Sequence, residues 1–517
     1  MTPSDQGDEA GDREGVPERF NLARYVLEPG DVRPADKVAL VLHGGDQRLG
    51  QWTFGELDDA VRACAAGLLG LGLEQGNRVL LRLGNTREFP LVWLGAMAAG
   101  LIAVPSSSQL TAKEVDLVLA DSGASAVVGE VGPAVDAGLV PTVSATRVGE
   151  WIAAGERAAY ADTTADDPAF LIYTSGTSGR PKGVLHAHRS AWGRRPMHAG
   201  WLGLGRDDVM LHAGALNWSY TLGVGLTDPW AVGATAVVYD GPRDPAVWSR
   251  IIADTSTTLF AAVPGVYRQW LSCGIDRSAI ATVRHGLTAG EALAPSLREE
   301  WRAATGLELH ESLGMSEVST FISSGPDVPV RAGSPGRAQQ GRRIAVLPET
   351  GDDLPLPAGE IGVLAVHRSD PGLMLGYWNR PDDQPWRGEW FVTADAVHLD
   401  EDGYVHHHGR VDDILNAGGY RVSPLEVEHV LAQHPAVGDV AVVERTVRAG
   451  VSIIAAYAVP ADPDAAGGLD AGGVLAFARE HLAAYKCPKE LVWVESLPRT
   501  ANGKLRRRAL GEADPRG

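Results

Sequence analysis

A layered α/β fold of several units is what the sequence predicts, on three observations. Apolar runs of strand length alternate with helical patterns through the first part of the chain, the signature of sheets covered by helices. At 517 residues there is room for roughly three to four domain-sized units and an extensive core. A short bulky run, Ala169-Phe170-Leu171-Ile172, leads straight into Tyr173-Thr174-Ser175-Gly176-Thr177-Ser178-Gly179-Arg180-Pro181-Lys182-Gly183, a buried strand delivering a loop of glycines and hydroxyls to a sheet edge.

Composition sets the bounds. Hydrophobic residues make up 44% and charged residues 21%, the proportions of a globular protein. A net charge of −19 argues against nucleic acid or an anionic membrane as a general partner. Cys64, Cys273 and Cys487 are far apart, so neither a disulfide framework nor a zinc site is expected, and a reducing cytoplasm fits. No apolar run approaches the roughly 20 residues of a membrane span, and no basic start is followed by an apolar segment. A soluble, unsecreted, cytoplasmic protein is expected.

Taken in order, residues 1–17 are rich in Gly, Asp and Glu without apolar periodicity and read as a disordered tail. Val38 to Leu42 is a strand. Thr53-Phe54-Gly55-Glu56 is a capping box opening a helix to about Leu71, stopped by Gly72. Arg78 to Leu83 reads as a strand, Glu88 to Ala99 as a helix ended by Gly100, and Ala126 to Val128 as a strand. Later strands are Asp208 to Leu211, Ala234 to Tyr239 and Thr258 to Val263. Near the C-terminus, Pro424 to Leu431 and Leu475 to Ala484 look helical. Val440 to Val443 and Ile453 to Tyr457 look extended, with Asp462 to Gly473 a loop.

The chemistry concentrates in the loop at Tyr173 to Gly183. Its glycines let backbone N–H groups turn inward, its hydroxyls add donors, and Lys182 brings a mobile positive charge, which suits a nucleotide triphosphate. The spacing departs from the mononucleotide loop pattern, because Pro181 precedes the lysine. A carboxylate beside a hydroxyl, Ser316-Glu317, is the right donor set for Mg²⁺ on phosphates. Asp395 offers a carboxylate able to accept from two hydroxyls. The run His406-His407-His408 invites a metal reading, but adjacent strand positions point to opposite faces and converge poorly on one ion.

These stretches resemble the adenylate-forming superfamily, in its acyl-CoA synthetase branch, with wording nearest the benzoate-CoA ligase group. The match continues, in the family's order, at Leu313-Gly314-Met315-Ser316-Glu317, Leu375-Gly376-Tyr377-Trp378, Trp390 to Asp395, Gly409 to Glu428 and Pro498 to Arg507. The resemblance implies an α/β multidomain fold: an N-terminal AMP-binding domain over 18–409, with a small barrel-like part, and a mobile C-terminal lid over 410–517 with its hinge at Asp412. It implies ATP, Mg²⁺ and coenzyme A, with acyl-AMP formed first and the thioester second, releasing pyrophosphate and then AMP.

By the same resemblance Lys504, Glu317 and Ser316 are catalytic, with Glu317 holding Mg²⁺. ATP and AMP fall to Thr174, Ser175, Gly176, Thr177, Ser178, Gly179, Lys182, Gly290, Glu291, Glu311, Ser312, Leu313, Asp395 and Arg410. The acyl pocket is assigned to Trp218, Ser219, Tyr220, Val263, Ala289 and Gly314, and the CoA path to Gly418, Gly419, Tyr420 and Arg421. Four positions depart from the family's commoner residues: Ala289, Leu313, Ser316 and Ala394. Acetate-specific relatives carry Trp where this chain has Gly314, so an open pocket floor and an aromatic, cycloalkyl or short-to-medium branched acid are expected.

The expected partners are a small carboxylate and CoA. A homodimer and a lysine acetyltransferase acting on Lys504 are further expectations. The alternative reading passes the acyl group to a carrier protein or other acceptor. A peptide-synthetase adenylation domain would place an Asp within Leu216 to Tyr220, where there is none. A luciferase-type oxygenase has no independent signal. A non-catalytic nucleotide sensor would have lost Lys504, Glu317 or Asp395, and all three are present.

Overall fold

The computed structural model describes residues 15–129, 140–175, 181–242, 244–380, 385–411, 415–417, 420–448, 451–462, 470–484, 486–499 and 505–511. The early elements arise as their sequence dictates. Thr53 caps the helix Phe54–Leu69 through a reciprocal capping box with Glu56, and the same device at Thr111 and Glu114 opens Ala112–Ser122. The strand Arg78–Arg82 is buried through its centre, and the helix Glu88–Ala98, apolar after its first residue, is buried throughout. Both lie where a continuous hydrophobic sequence needs cover on every side.

Among the described residues the strands form two large sheets and two small ones, of three and two strands. A seven-stranded sheet carries the phosphate loop: Pro168–Ser175 and Pro181–Ala187 are antiparallel neighbours, flanked by Gly376–Tyr377 on one side and Ile102–Pro105 on the other. A strand therefore stands on each side of the segment 176–180, where the sequence reading had a strand on one side only. A 14-stranded sheet has a parallel centre of Thr235–Tyr239, Val209–His212, Leu259–Ala262, His285–Ala289 and Leu309–Met315. Beyond Leu309–Met315 its pairing turns antiparallel, through Ser319–Ser323 to Trp390–Leu399 and Tyr404–Arg410. The small barrel-like part expected from the resemblance corresponds to this antiparallel half, continuous with the main sheet.

The C-terminal part is built on the hairpin Val437–Arg448 and Val451–Pro460, with Glu490–Trp493 added in parallel. Val427, Leu431, Val442, Ile454, Val474 and Ala478 make its own core. The helix read from Leu475 begins instead at Ala471, because Asp470 accepts from the Gly472 N–H as its cap. No helix among the described residues is long and apolar enough to cross a membrane.

Candidate active site

The phosphate hairpin pairs Thr174 with Lys182 and Ser175 with Pro181; Gly176, Thr177, Ser178 and Gly179 lie outside the described residues. Lys182 Nζ sits 3.8 Å from the centre of the Tyr377 ring, a cation–π distance. The second arm is held by the strand after it, where Trp378 N–H donates to Gly183 O at 2.8 Å.

Ser316 and Glu317 stand at the tip of a second hairpin, between Leu309–Met315 and Ser319–Ser323. A lone Ser-Glu pair is commonly a helix start; here it is a tight β-turn gripped from several sides. His186 donates from Nε2 to Ser316 O at 2.7 Å, and burial pushes that imidazole down to about 4, keeping it neutral. Tyr377 Oη donates to Glu317 Oε1 at 2.8 Å, and Met374 N–H donates to Glu317 O at 2.8 Å. Ser319, at φ +90°, is in a conformation that costs a non-glycine residue about 1–3 kcal/mol. Its Oγ accepts from Arg194.

Arg194 is itself bidentate on Asp228, at 2.7 and 2.6 Å. Burial opposes the Asp228 charge, yet Arg194 and His198 hold its carboxyl well below the usual range. Gly223 is required by this network, since a Cβ there would lie 2.1 Å from the guanidinium.

On the acyl side, Trp218 and Tyr220 meet edge-to-face with centroids 5.3 Å apart. Tyr220 is buried with Leu287 and Ala289. Trp218 packs over Gly290, where a Cβ would come within 2.9 Å of the indole and where φ is +97°; Val263 borders the same spot. The structure thus brings Trp218, Tyr220, Val263, Ala289 and Gly290 together. Ser219 lies on the other side of its short helix, lining a small cavity of about 40 Å³ with Arg194, His186 and Ser316.

Gly314 is not an opening. A Cβ there would meet Ser319 O at 2.6 Å and Thr320 Cα at 2.7 Å, so the glycine serves the close approach of two strands at a register shift. The expectation that its lack of a side chain leaves pocket depth is corrected accordingly.

Other expected nucleotide residues are engaged by protein. Glu311 accepts from Leu293 N–H at 2.9 Å and pairs with Arg298 at 3.1 Å. Ser312 Oγ donates to Ile322 O at 2.7 Å. Leu313 packs partly into a core cluster with Phe321 and Phe391. Asp395 and Arg410 face each other as a rung of the ladder between their strands.

Glu291 accepts from Arg499 Nη1 at 2.9 Å, while Arg499 Nη2 reaches Asp439 Oδ2 at 2.9 Å. Arg499 and Leu505 pair as an isolated bridge, which brackets the segment holding Lys504. Lys504 itself, Asp412, Gly418 and Gly419 lie outside the described residues. Of Tyr420 and Arg421 the backbone is described, paired with Ala417 and Asn416.

Sequence reasoning gave Tyr377 and Arg499 no role. Tyr377 was within reach, since Gly376-Tyr377 belonged to the matched motifs; Arg499 becomes visible only when its two carboxylates are seen to come from separate parts of the fold.

The AMP-binding enzyme family matches residues 28–378, and its C-terminal domain matches 426–504. The chain belongs to this family of AMP-binding, adenylate-forming enzymes.

It is 32% identical to mouse (Mus musculus) acyl-coenzyme A synthetase ACSM5, mitochondrial, covering 96% of this chain and 91% of that protein. It is 30% identical to a 3-hydroxybenzoate–CoA ligase of Aromatoleum sp. (strain CIB), covering 95% and 97%. A solved benzoate CoA ligase from Burkholderia xenovorans LB400 superposes with a TM-score of 0.85 at 30% identity, over 95% of this chain and all of that one (100%). The protein is accordingly an AMP-forming acid–CoA ligase, and use of ATP and CoA follows from the family.

Proposed function

We propose that the acid activated is a compact ring-bearing or branched carboxylate and that coenzyme A is the acceptor. The observation that carries this is the Trp218–Tyr220 pair set over Gly290 and Ala289, since flat apolar walls suit a ring better than a flexible chain. The substrates in the printed names of the relatives, benzoate and 3-hydroxybenzoate among them, support the same class.

In this reading the substrate carboxylate attacks the α-phosphorus of ATP, pyrophosphate leaves, and the CoA thiol then attacks the acyl carbon to expel AMP. Positioning and charge stabilisation supply most of the acceleration. Lys182 and the phosphate hairpin hold the leaving phosphates, Asp395 and Arg410 the ribose, and Lys504 the reacting phosphate. The donor set at Ser316-Glu317 fits Mg²⁺: a carboxylate already oriented by Tyr377, beside a hydroxyl, in the hard-oxygen chemistry that ion requires. When bound, Mg²⁺ would neutralise charge on the phosphates. The lid is proposed to pivot at Asp412, bringing Gly418 to Arg421 to the acyl-AMP for the second step.

The test is a panel of acids scored for pyrophosphate release from ATP, with CoA and without any acceptor. Benzoate-like, cycloalkyl or branched acids should lead in kcat/KM, and CoA should be converted to thioester stoichiometrically with AMP. Acetate outperforming every acid of five or more carbons would refute the substrate class. Adenylation without thioester formation would refute the acceptor.

A further inference from the structure

The three consecutive histidines divide between two faces of their strand, and which face each takes is set by a break in the pleat between them and Arg410. Tyr404–Arg410 runs antiparallel to Trp390–Leu399 with rungs Asp395↔Arg410, Ala396↔Gly409 and then Val397↔His407. The ladder skips His408, the extra residue of a β-bulge, a device that re-aims a side chain. Without the skip His407 would sit opposite His398, on the face away from Asp395. With it, His407 shares the face of Asp395 and Arg410.

The contacts agree. His406 pairs with Asp400 at 3.0 Å and stacks on His398, and His408 hydrogen-bonds His398 at 2.7 Å, all on the other face. His407 alone of the three places Nε2 3.0 Å from Asp395 Oδ1. The two side chains are 20% and 14% exposed. Because a carboxylate only accepts, that nitrogen carries the hydrogen.

We infer that His407 is a nucleoside-site residue that orients Asp395 for the ribose diol of the nucleotide. The inference rests on the proposed role of Asp395 as ribose ligand. An ionised carboxylate has about four acceptor positions. His407 donates to Oδ1, which fixes the plane in which the group meets the ribose hydroxyls. The residue acts through Asp395, so it is a positioning residue and a reader of the sugar.

The experiment is calorimetric binding of AMP, 2′-deoxy-AMP and 3′-deoxy-AMP to the full-length protein and to His407→Phe, His407→Gln and Asp395→Asn, with melting temperatures recorded for each. Loss of a hydrogen bond to a charged group should weaken AMP about tenfold in His407→Phe. The preference for AMP over the two deoxy analogues should narrow as well. In turnover, KM for ATP should rise while kcat at saturating ATP holds. Gln places its amide nitrogen where Nε2 stood, so His407→Gln should recover affinity and preference.

Wild-type binding by His407→Phe, equal weakening of all three nucleotides, or a Gln variant no better than Phe would each overturn the inference. Asp395→Asn separates this from failure of the underlying reading. If it keeps both AMP affinity and ribose preference, Asp395 is not the ribose ligand; if it loses them while His407→Phe does not, only the role of His407 falls.

Discussion

Arg499 ties the lysine-bearing segment to the large domain, and removing that tie should change how the enzyme divides its time between its two half-reactions. The guanidinium bridges Glu291 and Asp439, each at 2.9 Å, with the three side chains 29%, 23% and 29% exposed. A hydrogen bond to a charged group contributes about 1.5–3 kcal/mol when sheltered, and this degree of exposure brings the Glu291 contact to about 1–2 kcal/mol. That is a factor of roughly 5–30 in an equilibrium constant.

If adenylation requires the lid docked as here and thioester formation requires it turned away, each rate scales with one population. The ratio of the two rates then shifts by the whole factor wherever the resting equilibrium lies. Glu291→Gln and Arg499→Ala should therefore each lower that ratio by roughly 5–30-fold. The double variant should be no worse than the poorer single one, since both remove the same contact. The assay is single-turnover pyrophosphate release, set against thioester formation from supplied acyl-AMP and CoA. Equal changes in both half-reactions, or additive losses in the double variant, would refute the latch.

Three further outcomes follow from the site. Lys504→Ala should slow acyl-AMP formation by about 10²–10³, as deletion of one preorganised charge-stabilising donor does elsewhere, and spare thioester formation from supplied acyl-AMP, with Gly419→Leu doing the reverse; the separated half-reactions decide it. Gly314→Ala should lower stability by about 1–3 kcal/mol through overpacking against Ser319 and Thr320, read as a melting shift, and Gly314→Trp should lose activity on all acids; a well-folded Trp variant that prefers acetate would restore the open-floor reading. His186, His188 and His310 are each pushed by burial to about 4 from 6.5. The unfolded chain binds more protons than the folded one between those values, so stability should rise with pH from 4 to 6.5 and level off above. His186→Gln, which keeps a donor for Ser316 O, should flatten that slope in pH-dependent melting.

Local signals in the sequence were good guides wherever one residue type answers one local need. Thr53 and Glu56 cap a helix, and the first strands fall where their apolar runs lie, because burial on both faces leaves no alternative register. The strand assignment at the three histidines was sound. Position relative to neighbouring strands was not legible. A bulge at His408 changes the face of His407 without any change in composition, and it shows only in the pairing with Trp390–Leu399. Gly314 misled for the same reason: absence of a side chain reads as space, but the space is filled by the backbone of Ser319–Ser323. Glu311 was assigned to the nucleotide by resemblance alone, and nothing local in the sequence foretold that Arg298 and the Leu293 amide hold its carboxylate.

Tyr377 shows how two sheets come to serve one reaction. The phosphate hairpin belongs to the seven-stranded sheet and the Ser316-Glu317 hairpin to the 14-stranded one, so nothing in either ladder fixes their separation. Tyr377 pairs through its backbone with Val184, on the phosphate hairpin's second arm. Its hydroxyl reaches Glu317, and its ring face receives Lys182. The one side chain thus gives Lys182 a cation–π contact and Glu317 a hydrogen bond. The joint thus ties the hairpin of one sheet to that of the other through a backbone pair, a ring face and a hydroxyl.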